Sequence, residues 1–303
     1  MSSDMNDRFS GHESFVCRYG WLPKVFKAVK KDATLLRNDE QAMNVLGIGR
    51  NMVKSLQFWA EATGVLQTSE SGGHEPGPIG VQLFDGPDAW DPYLESLESL
   101  WLIHWQLCTT ANLAAWGEVF GEGNLIQFER QRLISALARR SEAAARTMAT
   151  STLDQHASIF IQTYYQEHRG TDDTSWCPLQ DLSLLRATKS EGGRVLFNAD
   201  TRTPIGLTLR VFGIALIQFI ARYGNSQQSV DFIQLLNGIR SPGLVFRLNE
   251  HQLRQFIENL CNGPFKNALR FLDTADTQSV VLTPKKLDPQ FRLRAIEEVH
   301  SYA

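Results

Sequence analysis

The polar side chains best placed to do chemistry lie near the start of the chain, in the segment FSGHESFVCRYGWLPK from residue 9 to residue 24. His12 offers a general base, Glu13 a carboxylate, and Arg18 and Lys24 offer cations that could hold phosphates. Cleavage of a phosphodiester needs groups that activate water and neutralise the developing charge. We therefore take His12 and Glu13 as the candidate catalytic pair of a DNA-nicking enzyme.

An alternative for this segment stays open. Adjacent residues on a strand point to opposite faces, so His12 and Glu13 could act together only with the help of a turn. The other hypothesis is that the segment ties the N terminus onto the core by hydrogen bonds.

The elements that would position this chemistry follow directly in the sequence. Apolar spacing predicts a helix over 20–31 with lysines on its opposite face. Asn38 is the predicted N-cap of a short helix through Leu46, the glycine turn 47–49 breaks it, and a second helix is predicted over 50–62. Helix, glycine turn and helix is the helix-turn-helix pattern, in which the second helix enters the DNA major groove.

A hairpin would complete a winged helix. Strands are predicted at 65–68 and 80–84, and the loop 69–77 between them is rich in the turn residues that a wing tip requires. On this interpretation residues 1–90 form a winged-helix DNA-binding domain.

The second helix of this pattern carries side chains suited to reading DNA. Its outward row is Arg50, Lys54 and Gln57, with Asn51 beside the first of them. Arg and Lys donate to guanine or phosphate, whereas Asn and Gln pair with adenine edges. We expect these four residues to contact bases or phosphates. The candidate phosphate contacts beside them are Arg18, Lys24 and Lys27. A solvated charged face, or a winged helix used for protein contacts, stays the alternative.

The distribution of charge supports a localised DNA-facing region, although the whole chain has a net charge of −3 and a pI of about 6.2. Residues 18–54 contain eight basic and three acidic side chains, a balance of +5. Residues 55–129 contain no Lys or Arg and eleven acids. Such asymmetry points to one electrostatic footprint rather than to a uniformly acidic surface.

The rest of the chain, 91–303, is predicted to be a mostly helical domain with a small C-terminal hairpin, so the fold class is mainly α, of the α+β type. Helices are predicted at 92–110, 128–145, 150–167, 207–223, 229–236, 249–261 and 264–273, and strands at 194–198 and 279–283. A second winged-helix-like unit is expected at the C terminus. His104, on a helix apolar nearly all round, is predicted to be a hydrogen-bonded core residue.

Several function classes lack their motifs. The four cysteines show no zinc spacing, and the sequence has neither a phosphate-binding loop nor H-E-x-x-H nor a dinucleotide fingerprint. We therefore expect no nucleotide cofactor and no zinc module. The strongly apolar stretch 211–221 is shorter than the roughly 20 residues that a membrane helix needs, so a cytoplasmic protein without a membrane partner is expected.

Four motifs together carry a resemblance to a known family: FxGHESFxxRxxWLPK at 9–24, GIGRNMV at 47–53 with FW at 58–59, LWLIHW at 100–105, and CPL at 177–179. They resemble a bacterial domain family of unknown function, the SspB-like proteins, whose members are encoded beside DNA phosphorothioation genes. The chain departs from that pattern at 274–276, where TAD stands in place of an expected glycine.

The resemblance implies a DNA-nicking component of a phosphorothioation and phage-defence system. SspB-like proteins are thought to open one strand so that partners install sulfur in place of a non-bridging phosphate oxygen. The partners implied are a cysteine desulfurase, an ATP-using sulfur transferase and an ATPase. The family offers no nuclease motif to carry over, so His12 and Glu13 rest on their chemistry alone. Hydrolysis would use a divalent metal such as Mg²⁺, whose ligands the sequence does not identify. A non-catalytic DNA-binding adaptor and a protein-interaction scaffold are the alternatives.

Overall fold

The computed structural model describes residues 7–165, 176–189, 192–200, 203–226, 228–274 and 278–283, which form helices joined by short antiparallel strands. The helices are α1 (Trp21–Lys31), α2 (Asp39–Leu46), α3 (Arg50–Ala62), α4 (Pro78–Phe84), α5 (Leu97–Thr109), α6 (Ala114–Trp116), α7 (Arg130–Ala143), α8 (Thr150–Tyr164), α9 (Leu209–Tyr223), α10 (Phe232–Asn237), α11 (Pro242–Val245) and α12 (Glu250–Asn262). The strands are β1 (Leu66–Thr68), β2 (His74–Pro76), β3 (Gln127–Glu129), β4 (Arg186–Lys189), β5 (Val195–Asn198), β6 (Ser229–Asp231), β7 (Leu269–Asp273) and β8 (Gln278–Leu282). The expected mixed α and β class is confirmed.

One succession of elements recurs three times along the chain. In the second unit (127–198), β3 is followed by α7, α8 and the β4–β5 hairpin, and the strand order is β3-β5-β4. In the third unit (229–282), β6 is followed by α10, α11, α12 and the β7–β8 hairpin, with the order β6-β8-β7. Both sheets are antiparallel, and each places the last strand between the other two.

The first unit (33–76) has the same succession with a reduced sheet. Helices α2 and α3 are followed by the β1–β2 hairpin, in which Leu66 pairs with Pro76 and Thr68 with His74. The first unit, which is described throughout, has no first strand. At the corresponding place, the His74 N–H donates to the Ala33 carbonyl at 3.0 Å.

The helices of the first unit form where the sequence predicts them. Asn38 caps α2, because its side-chain oxygen accepts the N–H groups of Glu40 and Gln41. Gly47 ends α2 at φ 62°, a left-handed conformation that glycine adopts without strain. The predicted helices over 20–31 and 50–62 are confirmed as α1 and α3.

The predicted strand at 80–84 is wrong. Residues 78–84 form α4, which Pro78 opens, and the returning strand lies earlier, at β2. Gly80 packs so closely that an added Cβ would lie 2.2 Å from the Val65 carbonyl oxygen. A small residue there lets α4 lie directly against the start of β1 and against Phe26 of α1.

The C-terminal elements are partly as predicted. The capping box of Asn249 and Gln252 opens α12, and the strand at 279–283 is confirmed as β8. The helix predicted at 229–236 begins instead with β6. The helix predicted at 264–273 is wrong, because a turn leads into β7, where pairing with β8 takes up the backbone hydrogen bonds. Residues 275–277, which include part of the departure from the family pattern at 274–276, lie outside the described residues. So do residues 166–167, the predicted end of the helix over 150–167.

The hydrophobic core extends through all of these elements. Its buried side chains run from Phe9 to Leu282 and include four tryptophans with almost no exposed surface. The N-terminal segment (7–19) packs on elements that follow residue 90, for instance through a bridge between Arg8 and Leu113. The division into residues 1–90 and 91–303 stays a prediction.

His104 on α5 is a hydrogen-bonded core residue, as predicted. It is fully buried, and its ring nitrogens lie 2.8 Å from the Tyr164 hydroxyl and 2.9 Å from the Val245 carbonyl oxygen. Burial lowers its pKa to about 4. Among the described residues, no helix has the length and apolar character needed to cross a membrane.

Candidate nucleic-acid interface

Helix α3 is anchored by its inner face, which fixes the direction of its outer face. Val53, Leu56 and Trp59 are buried, and the Trp59 indole N–H donates to the Phe15 carbonyl at 2.9 Å. The Ser55 hydroxyl donates to the same carbonyl at 3.3 Å. The N-terminal segment therefore supports the inner face of α3 and leaves the outer face of its first two turns exposed to solvent.

Three of the four predicted reader residues lie together on this outer face. Arg50, Asn51 and Lys54 are all exposed, and the Arg50 side chain keeps 63% of its surface accessible while its Nε lies 3.2 Å from the Asp39 carboxylate. Within the described part of the chain, no carboxylate forms an ion pair with Lys54. These side chains form a cationic ridge, which we define as Arg50, Asn51 and Lys54.

Gln57, the fourth predicted reader, is engaged inside the protein. Its amide nitrogen donates to the Glu61 carboxylate at 3.0 Å, and His74 on β2 lies 2.8 Å from the same carboxylate oxygen. Burial raises the pKa of Glu61, but the hydrogen bonds from His74 and Gln57 outweigh it, so the pKa lies below its usual value. This network ties α3 to the hairpin.

The three candidate phosphate contacts outside α3 also have partners within the protein. The Lys24 ammonium donates to the Leu46 carbonyl at 2.5 Å, at the C-terminal end of α2 where a cation is favourable. Lys27 lies 5.3 Å above the Tyr93 ring, and Arg18 lies over Trp21 at 5.7 Å. Lys24 nonetheless places its charge beside the turn that precedes Arg50.

Arg37 is a cation of this region that the sequence argument did not single out. Its guanidinium donates to the Ser71 carbonyl in the loop between β1 and β2. The exposed hairpin side chains Glu70 and Glu75 are acidic, so Arg37 supplies the positive charge nearest to the hairpin loop. Its only signal in the sequence was membership of the basic stretch 18–54.

The structure does not bring the predicted catalytic pair together. His12 is 2% exposed, stacks on His156 and lies with Nε2 3.1 Å from Nδ1 of that ring, whereas Glu13 is exposed in a turn with φ 54°. The Ala115 N–H donates to Nε2 of His156 at 3.2 Å. His156 therefore carries its proton on Nδ1, and this N–H donates a hydrogen bond to His12 Nε2. Because Nε2 of His12 is the acceptor, its proton is on Nδ1, which has no partner among the described residues.

Both rings of this pair are held neutral. Burial, helped by the charge of Arg8, lowers the pKa of His12 to about 4, and burial together with His12 lowers that of His156 to about 3. The hydrogen bonds of the segment anchor it to α3 and α8: besides the bonds to Phe15, Gln155 donates to the Glu13 carbonyl at 3.1 Å. The anchoring hypothesis describes these contacts, and a catalytic role for His12 and Glu13 stays a prediction.

Carboxylates converge at one further place, around Arg140 of α7. Asp7, Glu118 and Glu122 all form ion pairs with its guanidinium. Burial lowers the pKa of Arg140, but the hydrogen bonds and charges of Asp7 and Glu122 together outweigh it, so the net pKa is raised. The guanidinium stands where a divalent cation would have to lie, so this cluster does not fit Mg²⁺. Among the described residues, no group of three or more His, Cys, Asp or Glu side chains could hold a metal ion.

Comparisons with known proteins identify the family and the fold of this chain. The model of a family described as a protein of unknown function, DUF4007, matches residues 9–298. A crystal structure of SspB with bound magnesium ion superposes with a TM-score of 0.83 and 24% identity, over 93% of this chain and 86% of that one. A second SspB crystal structure gives 0.79 and 23%, over 96% and 87%. The search of curated proteins gives no match. The similarity to the SspB structures establishes the fold.

Proposed function

The chain belongs to the DUF4007 family, and we propose that it is a DNA-binding component of a bacterial DNA phosphorothioation system. The observation that carries this proposal is the cationic ridge at the start of α3. The similarity in fold to SspB supports the assignment to phosphorothioation. A role on DNA also agrees with the expected location in the cytoplasm.

In this proposal the first unit acts as a winged helix-turn-helix. Helix α2, the glycine turn and α3 correspond to the two helices and turn of that motif, and the β1–β2 hairpin corresponds to the wing. The N-terminal residues of the second helix contact base edges in such motifs. That position is occupied by Arg50 and Asn51, with Lys54 one turn further along.

The contact surface in this proposal is confined to the start of α3. Further along the helix, Gln57 is occupied by Glu61, and the exposed Glu70 and Glu75 of the hairpin would repel phosphates. Lys24 lies beside the turn that precedes the ridge, and Arg37 lies at the hairpin loop. Arg50 and Lys54 would bind phosphates or guanine, and Asn51 would pair with adenine.

Replacing Lys54 by Ala tests the proposal. Loss of one phosphate contact weakens binding about equally across sequences and lowers the slope of log affinity against log salt by about 1. Fluorescence anisotropy with labelled duplex DNA measures both quantities. Lys266→Ala, which removes an exposed lysine of the third unit, is the matched control. Salt-independent binding, or none by the intact protein, would instead favour a protein-interaction scaffold.

Magnesium-dependent nicking is the second candidate function, and the observation that favours it is the similarity in fold to an SspB structure that holds magnesium. The described residues do not provide a ligand set that fits Mg²⁺, so no catalytic step is derived through the metal. Supercoiled plasmid incubated with the protein, with Mg²⁺ or with a chelator, tests it. Open-circle product only with Mg²⁺ would support nicking, whereas binding without any open-circle product would support a non-catalytic adaptor.

The partners proposed for either role are those that the resemblance implies: a cysteine desulfurase, an ATP-using sulfur transferase and an ATPase. Repeating the plasmid assay with those proteins added would show whether nicking depends on them.

A further inference from the structure

A cation that α3 does not itself supply lies over the third turn of this helix. Arg8, in the N-terminal segment, places its guanidinium 4.7 Å from the centroid of the Phe58 ring. Arg8 precedes both the basic stretch 18–54 and the polar segment 9–24, and the proposed function makes no use of it.

Phe58 continues the outward row of α3. It follows Asn51 by seven residues and Lys54 by four, which are the spacings of side chains on one face of a helix. Phe58 is nevertheless only 4% exposed, because the N-terminal segment covers its ring. Helical side chains lean toward the N-terminal end of their helix, so the Phe58 ring leans toward Lys54. The Arg8 guanidinium above this ring therefore extends the cationic ridge by about one turn.

The backbone of the N-terminal segment holds Arg8 in this position. The Arg8 N–H donates to the Asn112 carbonyl at 2.8 Å, and the Arg8 carbonyl accepts the Ala114 N–H at 3.1 Å. Gly11, at φ 114°, lets the segment pass close to α3. A Cβ added to it would lie 2.6 Å from a carbon of the Phe58 ring and 3.6 Å from a guanidinium nitrogen of Arg8. The fold itself therefore places the cation at α3.

The N–H groups of this guanidinium are unused. Arg8 is partly exposed, and its side chain forms no hydrogen bond or ion pair within the described part of the chain. A guanidinium that covers an aromatic ring with its face keeps the N–H groups along its edge for other partners. Arg8 thus offers a fixed set of donors to an anion that approaches α3.

Glu61 feels the charge of Arg8 without pairing with it. Burial raises the pKa of Glu61, and the hydrogen bonds of His74 and Gln57, together with the charges of His74 and Arg8, lower it. The Glu61 carboxylate is engaged by the His74 ring at 2.8 Å and by the Gln57 amide at 3.0 Å. The donors of Arg8 therefore stay available beside an acid that is already satisfied.

We propose that Arg8 binds a phosphate of the DNA duplex that the cationic ridge contacts. Successive phosphates of one strand advance by about 3.4 Å along the duplex axis, so cations one helical turn apart can reach different phosphates. The flat guanidinium can donate two parallel N–H groups to one phosphate. The inference rests on the proposed function and adds the N-terminal segment to its DNA-binding surface.

The test measures duplex affinity over a range of salt concentrations for the full-length protein and two variants. Arg8→Met keeps an unbranched side chain over Phe58 but removes the charge. At about 0.1 M salt it should weaken binding about fivefold, and it should lower the slope of log affinity against log salt by about 1, which is the loss of one phosphate contact. Arg8→Lys keeps the charge, so its slope should equal that of the wild-type protein.

Two further variants serve as control and cross-check. Arg270→Met removes an exposed arginine of β7 and should leave both the affinity and the slope unchanged. Arg8→Met combined with Lys54→Ala should lower the slope by about 2, because independent phosphate contacts add. Thermal melting of each variant establishes that it is folded.

The outcomes separate this inference from the proposed function. A slope that is unchanged in Arg8→Met but falls in Lys54→Ala overturns the inference and leaves the ridge standing. Weaker binding of Arg8→Met at an unchanged slope, or an equal fall of the slope in Arg8→Lys, assigns Arg8 to the packing of α3 and also overturns the inference. A slope that falls in Arg8→Met and not in Lys54→Ala supports the inference and overturns the role of the ridge. An intact protein that binds no duplex overturns both.

Discussion

The first and third units both consist of helices followed by a β hairpin, yet the helix that precedes the hairpin presents an opposite charge in each. Helix α3 exposes Arg50, Asn51 and Lys54, whereas α12, which holds the same place in the third unit, exposes Glu250 and Glu258. Arg254 on α12 is partly buried, pairs with Asp273 and lies 5.3 Å from the Phe232 ring. Shared topology thus sets where a helix lies, and its exposed side chains decide what it can bind.

The N termini of α3 and α12 also differ, both in capping and in the charge of the first turn. Asn249 and Gln252 close the N terminus of α12 with a capping box, and Glu250 places an acid in its first turn. Helix α3 begins after Gly49, which provides no side-chain cap, and has no acid in its first turn. The free backbone N–H groups at the start of a helix favour anions, so of the two helices α3 is the one that combines this feature with neighbouring cations.

The second unit differs from both, because its corresponding helix is covered. His156 on α8 is fully buried beneath His12, and Phe160 and Tyr164 are buried on the same helix. Helix α8 therefore serves as core rather than as a surface helix.

The largest expected effect concerns three buried, neutral histidines outside the third unit: His12 in the N-terminal segment that supports α3, His104 on α5 and His156 on α8. In the folded protein the pKa of His12 and His104 is about 4 and that of His156 about 3, below the unfolded value of 6.5. The unfolded chain thus binds more protons below pH 6.5, and stability falls as the pH falls toward 4. From pH 7 to pH 5 we expect a loss of about 2 kcal/mol per histidine, about 6 kcal/mol for the three.

Urea unfolding at the two pH values measures this loss. His251→Ala removes the exposed histidine of α12 and should leave the loss unchanged. A free energy of unfolding that does not fall between pH 7 and pH 5 would mean that the buried histidines are charged in the folded protein.

The next largest effect is expected from reversing the charge of the ridge. The double variant Arg50→Glu and Lys54→Glu should weaken duplex binding about 100-fold, because two phosphate contacts become repulsions. Anisotropy titrations at low salt measure it. Gln255→Glu combined with Asn259→Glu adds acids to α12 as the matched control and should change the affinity less than twofold; a similar loss in both double variants would remove the distinction between the units.

A smaller effect is expected from making the third unit resemble the first. Gln255→Lys combined with Glu258→Lys should raise non-specific duplex affinity about threefold and steepen the salt dependence, because phosphate contacts are additive and independent of sequence. Unchanged affinity would indicate that α12 is turned away from DNA that is bound to α3.

The smallest effect concerns the hairpin of the first unit. Arg37→Ala removes the hydrogen bond to Ser71 and the nearest cation to the hairpin loop, and should weaken duplex binding about twofold. Arg270→Ala, which removes an exposed arginine on β7, is the matched control. A tenfold loss in Arg37→Ala would make the hairpin a principal contact rather than a flank.

Local patterns in the sequence were enough to predict α1, α2 and α3, because each has a continuous apolar face and a glycine or Asn38 marks a boundary. The same reasoning predicted the capping box of α12 and the burial of His104. It failed at 80–84 and 264–273, where short apolar runs fit either a helix or a strand and tertiary packing decides.

The helices of the second unit and its strand at 194–198 were predicted, as α7, α8 and β5. Its sheet was not, because the sheet depends on pairs far apart in sequence, such as Phe128 with Phe197. For the candidate site, residue type and helical spacing predicted the exposed ridge. The apolar face of α3 packs on the core, so the side chains on the opposite face must be exposed. The contacts of Gln57 with His74 and of Lys24 with the Leu46 carbonyl could not be predicted, because these partners approach only in the folded chain.

The contrast between α3 and α12 can be measured directly by photo-crosslinking to duplex DNA. A photoreactive phenylalanine derivative placed at position 54 or at position 255 reports whether each helix touches DNA in the bound complex. We predict a crosslink from position 54 that disappears at high salt and none from position 255. Crosslinks from position 255 without any from position 54 would contradict the assignment of DNA binding to the first unit.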